Sequence, residues 1–266
     1  NLLEDEDQQI ATMAMEQLLQ LGDEILPALR QEQESKNPLM RNRVHQLEAI
    51  LMKKMDLTSF IKRIEAGEIH LWEDLFVINR LHFPEMTAGD LEDVMDELHD
   101  ECSQRSFSSH SFCHYMKKKN FRVPTHDMLD SSINMIGSTL LNGEGTSLIL
   151  CVIAKYLGQR FDWDCTIILH KGHHCLVDGD NCLIDPMAGW SYKMMKEGMK
   201  AHACSDQNIL LTVISNLYLA ALTDGHMRIL HDLAQIMAVL SRMDIKEFPY
   251  PLGNASTTAQ QKTMDS

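Results

Sequence analysis

Three histidines lie within five residues of one another at positions 170, 173 and 174. After Asp-Gly-Asp-Asn at 178–181, a short apolar run ends in Asp185. Two apolar runs around such a turn predict a β-hairpin, because Gly and Asn tolerate the positive φ that tight turns require. Paired strands lie about 5 Å apart, so we expect Asp185 beside the histidines. A carboxylate next to an imidazole orients the ring and raises its basicity, and such a pair is half of a nucleophilic triad.

The elements around this hairpin are predicted from their apolar patterns. Residues 147–157 are apolar on nearly every side, which predicts a central helix, and Gly158 is placed to end it. A further strand is predicted over 165–169. The preceding residues 121–143 have the composition of a loop, and 191–203 show a methionine spacing that predicts a helix.

Amphipathic helix patterns flank this core on both sides. In the N-terminal part, Gly22 separates two helices and a third carries apolar residues over 39–51. A separate helix is predicted over 57–64, followed by further helices up to residue 116. Two more helices, joined at Asp224-Gly225, are predicted over 208–241. The N-terminal pattern resembles a HEAT-like repeat, and one such unit cannot bury its own apolar face alone.

Composition excludes several classes of function. The formal net charge of −14 argues against a nucleic-acid partner, since phosphate backbones are bound by clustered Lys and Arg. Seven cysteines, without a CxxC pair, favour free thiols in a reducing compartment, so we expect a cytoplasmic protein. No signal peptide or membrane span is expected, although the first residue, Asn1, leaves open that a leader was removed.

The order of these motifs resembles the core of the transglutaminase-like superfamily, and in particular its bacterial branch of invasion-regulator-type proteins. The matching stretches are residues 130–134, 146–148, 154–158, 172–173 and 184–189. The resemblance implies an α+β fold, mostly helical, in which a papain-like core packs a central helix on a small antiparallel sheet. Some members of that branch carry HEAT-like and TPR-like flanks in the same order as here.

The resemblance implies four segments and a set of site residues. The segments are a HEAT-like segment at 1–55, a transglutaminase-like domain at 56–203 with its core at 121–190, a TPR-like helical pair at 204–252 and a disordered tail at 253–266. By resemblance, His173 takes the position of the triad histidine and Asp185 that of the acid. The family's cysteine would fall near Gly143, where this chain has no thiol.

The missing thiol leaves two functions open. One is a catalytically degenerate module that binds a protein partner. Neither nucleic acid nor a membrane is expected as a partner. The other is a hydrolase or acyl transferase in which Ser147 attacks, His173 acts as base and Asp185 orients it. For a serine enzyme, the Ser147 hydroxyl must lie within about 3.5 Å of a His173 nitrogen. Its oxyanion donors would have to be the amides of residues 143–145, where Glu144 is expected to repel the developing charge.

Cysteine and histidine clusters allow further interpretations. Cys151 is a possible displaced nucleophile, but a position inside a buried helix predicts an inert thiol. Zinc is suggested by His170, His173, His174 and Cys175, yet strand alternation divides these residues between two faces, so no metal and no cofactor are expected. The spacing of Cys175 and Cys182 also allows them to oppose each other across the hairpin, but in a reducing compartment we expect two packed thiols.

Overall fold

The structure, a computed structural model, describes residues 2–82, 87–103, 107–125, 130–196, 199 and 201–248. The tail predicted at 253–266 lies outside these residues. The chain divides into two compact units, Asn1–Lys62 and Arg63–Ser266. The hairpin and the central helix both belong to the second unit.

The first unit is built from helices. Helix α1 (Gln8–Gln20) and the short α2 (Leu26–Glu32) are followed by α3 (Pro38–Glu65). Gly22 has φ +69°, a backbone conformation that glycine adopts without strain, and it separates the first two helices as predicted. The two helices predicted over 39–51 and 57–64 are wrong as separate elements. They form the single helix α3, because no residue between them interrupts helical backbone geometry.

Between α3 and the central helix, the described residues of the second unit form four α-helices. They are α4 (Leu71–His82), α5 (Ala88–Ser103), α6 (Ser109–Lys118) and α7 (Ile136–Asn142). The prediction that 121–143 is irregular missed α7. Burial of Ile136 and Leu140 stabilises this short helix, and its Gly137 N–H donates to the buried Asn79 side chain at 3.0 Å. Neither contact is local in sequence.

The central helix α8 (Ser147–Gln159) confirms the predicted apolar helix. Thr146 caps it, with its hydroxyl accepting a hydrogen bond from the N–H of Ile149. Gly158 does not end the helix as predicted, because α8 continues through Gln159. A Cβ atom on Gly158 would lie 2.2 Å from the Trp163 ring, so the glycine provides room for that ring.

A five-stranded antiparallel sheet packs against α8. Its strands are β1 (Cys165–His170), β2 (His173–Asp178), β3 (Cys182–Asp185), β4 (Ser191–Met194) and β5 (His202–Ala203), in the spatial order β4-β3-β2-β1-β5. Helix α8 contacts both β1 and β2. This arrangement confirms the predicted hairpin of β2 and β3 and its packing against the helix.

Positive φ angles close both turns of the central strands. Lys171 and Gly172 have φ of +50° and +84° between β1 and β2, as a two-residue hairpin turn requires. Asn181 has φ +61° between β2 and β3. The Gly-His step at 172–173 therefore ends a turn and starts a strand.

The helix predicted over 191–203 is wrong. Ser191–Met194 forms strand β4, which pairs with β3, and His202–Ala203 forms β5 at the opposite edge of the sheet. Met194 is exposed, so the methionine spacing that suggested an amphipathic helix does not mark a buried face. Pairing with an available sheet edge decides the structure of this segment.

Two antiparallel helices follow the sheet, α9 (Asp206–Asp224) and α10 (Met227–Ser241), joined at Gly225 with φ +71°. They confirm the predicted helical pair. The described residues thus form a mostly helical α+β protein with one small antiparallel sheet. Within them, no helix combines the length and the apolar character that crossing a membrane requires.

Candidate functional site

The β2–β3 register brings His173 and Asp185 together. Leu176 pairs with Ile184 and Val177 with Leu183, which places residue 185 across from residue 175 and diagonally across from residue 173. The Nε2 atom of His173 lies 3.1 Å from Oδ2 of Asp185. This confirms the prediction that His173, twelve residues before Asp185, reaches that carboxylate.

The pair is half-buried. The side chains of His173 and Asp185 retain 20% and 17% of their exposure, so water or a ligand can reach one side of them. His174 follows in the strand and its side chain points to the opposite face. Burial, and to a smaller extent the neighbouring His173, lower the pKa of His174, which favours its neutral form.

Ser147 lies close to this pair but does not join it. Its hydroxyl oxygen accepts a hydrogen bond from the backbone N–H of His174 at 3.2 Å, and the residue is only 9% exposed. Among the residues that the structure describes, the Ser147 hydroxyl has no hydrogen bond with the His173 ring. The structure therefore brings together two of the three predicted triad residues and attaches the third to the backbone of β2.

Two of the three amides proposed as oxyanion donors, those of Gly143 and Gly145, already have acceptors. The N–H of Gly143 donates to the carbonyl of Thr139 at 2.8 Å, and the N–H of Gly145 donates to that of Arg122 at 3.1 Å. The carboxylate of Glu144 pairs with the Arg122 guanidinium at 2.6 Å. The charge of Glu144 is thus compensated by Arg122, whereas the expected repulsion of an oxyanion requires an unpaired carboxylate. The two flanking glycine amides are committed to the fold.

The thiols nearest to the pair are not poised as nucleophiles. Cys175 is completely buried, and burial together with the adjacent Asp185 carboxylate raises the pKa of its thiol to about 12. Cys151 is also completely buried in α8, and burial raises the pKa of its thiol, with Cys175 and nearby charges adding to the effect. Both thiols are therefore protonated at neutral pH, as predicted for Cys151 from its place in an apolar helix.

Cys175 is the member of the site that the sequence interpretation missed. It stands two residues after His173 and opposite Asp185, so all three side chains share one face of the sheet. Strand alternation separates neighbours such as His173 and His174, but it leaves His173 and Cys175, two residues apart, on the same face. The two-residue spacing of His173 and Cys175 was the available signal.

Cys175 and Cys182 are not opposite each other, and both are buried free thiols, as expected. The register places Cys182 at the turn end of β3, where its N–H donates to the Asp178 carboxylate at 2.8 Å. All seven cysteines are free thiols. Cys182 belongs to the opposite face of the hairpin from Cys175.

One group of described residues has the composition of a metal site. One ligand atom each of His173, Cys175 and Asp185 lies within 4.8 Å of the other two. Imidazole nitrogen, thiolate sulfur and carboxylate oxygen are all zinc ligands. The arrangement is thus able either to polarise an imidazole or to coordinate a cation.

Comparison of the chain with protein-family models, with curated proteins and with solved structures found no match.

Proposed function

We propose that this chain is a catalytically degenerate transglutaminase-like protein that serves as a protein-binding or regulatory module. The observation that carries the proposal is the hydrogen bond of the Ser147 hydroxyl with the backbone of β2. A serine nucleophile needs a base within hydrogen-bond reach, and here the ring of His173 bonds to Asp185.

Two further features support the absence of acyl transfer. The amides at Gly143 and Gly145 donate to backbone carbonyls, so neither is free to stabilise an oxyanion at the start of α8. The thiols of Cys151 and Cys175 are buried and protonated, whereas a thiol enzyme needs an accessible thiolate. The flanking helices would then supply the binding surface for a protein partner. The free thiols fit a cytoplasmic location.

A second candidate is a hydrolase or acyl transferase that uses Ser147, His173 and Asp185. The half-buried His173–Asp185 pair favours it, because the carboxylate fixes the ring orientation that a general base requires. In this case the Ser147 hydroxyl must leave the N–H of His174 and turn to the ring of the preceding residue when substrate binds.

Activity-based labelling separates the two candidates. Purified protein is treated with a fluorophosphonate and with iodoacetamide, and labelled residues are identified by mass spectrometry. The degenerate module predicts no labelling of Ser147 in the folded protein, and no turnover of amine-donor or peptide substrates. Labelling of Ser147 that His173→Ala abolishes, with the fold intact by circular dichroism, would instead establish the serine enzyme.

Partner binding is tested with the same variants. A partner identified by crosslinking and then purified must bind wild-type protein, Ser147→Ala and His173→Ala with affinities within about threefold of one another. Equal affinities are expected because the module binds through helical surfaces and not through the triad residues. A partner that is cleaved or modified by wild type, and by neither variant, contradicts the proposed module.

A further inference from the structure

His173, Cys175 and Asp185 form a three-residue cluster on one face of the β2–β3 hairpin. The hairpin register fixes the cluster, since residues 173 and 175 alternate to the same face and residue 185 lies opposite residue 175. The His173 and Asp185 side chains are in hydrogen-bond contact at 3.1 Å, and the Cys175 sulfur lies within 4.8 Å of a carboxylate oxygen of Asp185. Asp185 therefore joins the other two residues.

We propose that His173, Cys175 and Asp185 bind one zinc ion, with water completing a tetrahedral site. The ligand atoms lie within 4.8 Å of one another. In a tetrahedral zinc site with bonds of about 2.0–2.3 Å, ligand atoms are separated by roughly 3.3–3.7 Å. Zinc binding therefore requires these atoms to approach one another by up to about 1–1.5 Å, which we assign to side-chain rotation within the cluster.

The charges and the burial of the cluster suit a zinc ion. Cys175 as thiolate and Asp185 as carboxylate carry two negative charges, which neutralise Zn²⁺ while neutral His173 adds none. Zinc replaces the thiol proton of Cys175, and this proton is released to solvent. Cys175 is completely buried, whereas His173 and Asp185 are partly exposed on one side, where a fourth ligand from water can bind.

The donor types select zinc over other common divalent ions. Calcium and magnesium prefer oxygen ligands in larger or octahedral sets, so a thiolate and an imidazole discriminate against both. Two strands of one hairpin hold all three donors, which makes the site rigid. Zinc coordination by His173 also removes the ring from general-base chemistry, which agrees with a degenerate triad.

Metal binding by the purified 266-residue chain tests the proposal. Protein reduced with a phosphine is stripped with a chelator, and Zn²⁺ is added back in a competition titration with a chromophoric chelator. We expect one zinc per chain. Co²⁺ in place of Zn²⁺ should give a sulfur-to-metal charge-transfer band, which reports the thiolate of Cys175.

Ligand and control variants make the test specific to the cluster. Mutation of residues that only orient zinc ligands lowers zinc affinity by about 10–100-fold. Cys175→Ser and Asp185→Asn change the ligands themselves, so each is expected to lower zinc affinity by about 100-fold or more. His173→Gln, at a half-buried position, provides a ligand variant that is expected to fold. Cys182→Ser on the opposite face of the hairpin and the partly exposed Cys204→Ser leave zinc affinity within about threefold.

Two results would overturn the zinc site. One is wild-type protein that takes up no stoichiometric zinc after stripping. The other is a loss of affinity in Cys182→Ser or Cys204→Ser equal to that in folded His173→Gln, which would show binding by scattered thiols. Neither measurement involves a partner or a substrate, so failure of the zinc site leaves the proposed function untouched.

Discussion

Replacing Ser147 with alanine removes one hydrogen bond between helix α8 and strand β2. The N–H of His174 donates to the Ser147 hydroxyl at 3.2 Å, and strand β3 pairs with β2 only at residues 176 and 177 within the described register. The Ser147 hydroxyl oxygen thus accepts a hydrogen bond from the backbone amide of His174, which strand β3 does not reach. If that is the role of Ser147, the alanine variant loses stability.

The magnitude follows from the geometry of this bond. A typical intramolecular hydrogen bond contributes about 0.5–1.5 kcal/mol net, and a buried donor left without an acceptor costs about 1–3 kcal/mol. His174 is half-buried, so water partly replaces the lost acceptor. We therefore expect Ser147→Ala to lower the free energy of unfolding by about 1–2 kcal/mol. The melting temperature should fall by about 2–8 °C, given about 2–4 °C per kcal/mol for a unit of this size.

Urea denaturation followed by circular dichroism measures the change. Ser138→Ala is the matched control, because the Ser138 hydroxyl only accepts an exposed 3.3 Å hydrogen bond from Asn142. The control should stay within about 0.5 kcal/mol of wild type. A Ser147→Ala variant as stable as the control refutes the structural role of this hydroxyl. If that variant also loses fluorophosphonate labelling, Ser147 is a nucleophile and the proposed function is wrong.

Two further predictions concern packing and thiol reactivity. Gly158→Ala should destabilise the protein by about 1–3 kcal/mol in urea denaturation, because its Cβ would enter the Trp163 ring, whereas Gly179→Ala, with open space and ordinary φ, should be nearly neutral. Equal stabilities of the two variants would contradict this packing. Brief iodoacetamide treatment at pH 8, analysed by mass spectrometry, should alkylate the partly exposed Cys204 before the completely buried Cys175, whose pKa near 12 keeps it protonated until urea is added. Alkylation of Cys175 in the native protein at the rate of Cys204 would be inconsistent with its burial.

The hairpin and its acid–base pair could be predicted from sequence because their determinants are local. The Asp-Gly-Asp-Asn turn marks where the two strands meet. Because side chains alternate with a two-residue period along each strand, the twelve-residue step from His173 to Asp185 then fits a single pairing register. The structure has that register. The apolar helix α8 was equally predictable, since a helix without a polar face has to be central.

Other elements depend on contacts that local sequence does not contain. Helix α7 is stabilised by the buried side chain of Asn79, which lies 58 positions before Gly137. Strand β4 exists because β3 offers an unpaired edge to residues 191–194. Gly158 looks like a helix terminus in sequence, yet its function is to admit the ring of Trp163. In each case a tertiary contact overrides the local preference.

The position of Cys175 bears on both chemistries considered for this site. In a nucleophilic triad the acid serves only the imidazole, and the second ring nitrogen faces the nucleophile. Here Asp185 is hydrogen-bonded to His173 and lies within 4.8 Å of the Cys175 sulfur, while the Ser147 hydroxyl accepts a hydrogen bond from the backbone. A carboxylate shared between an imidazole and a buried thiol is unusual for a triad, but three donors around a common centre are what a metal ion requires. Cys175→Ala therefore separates the two: it should abolish zinc binding, whereas a serine enzyme, whose acid would then serve His173 alone, would keep or gain activity.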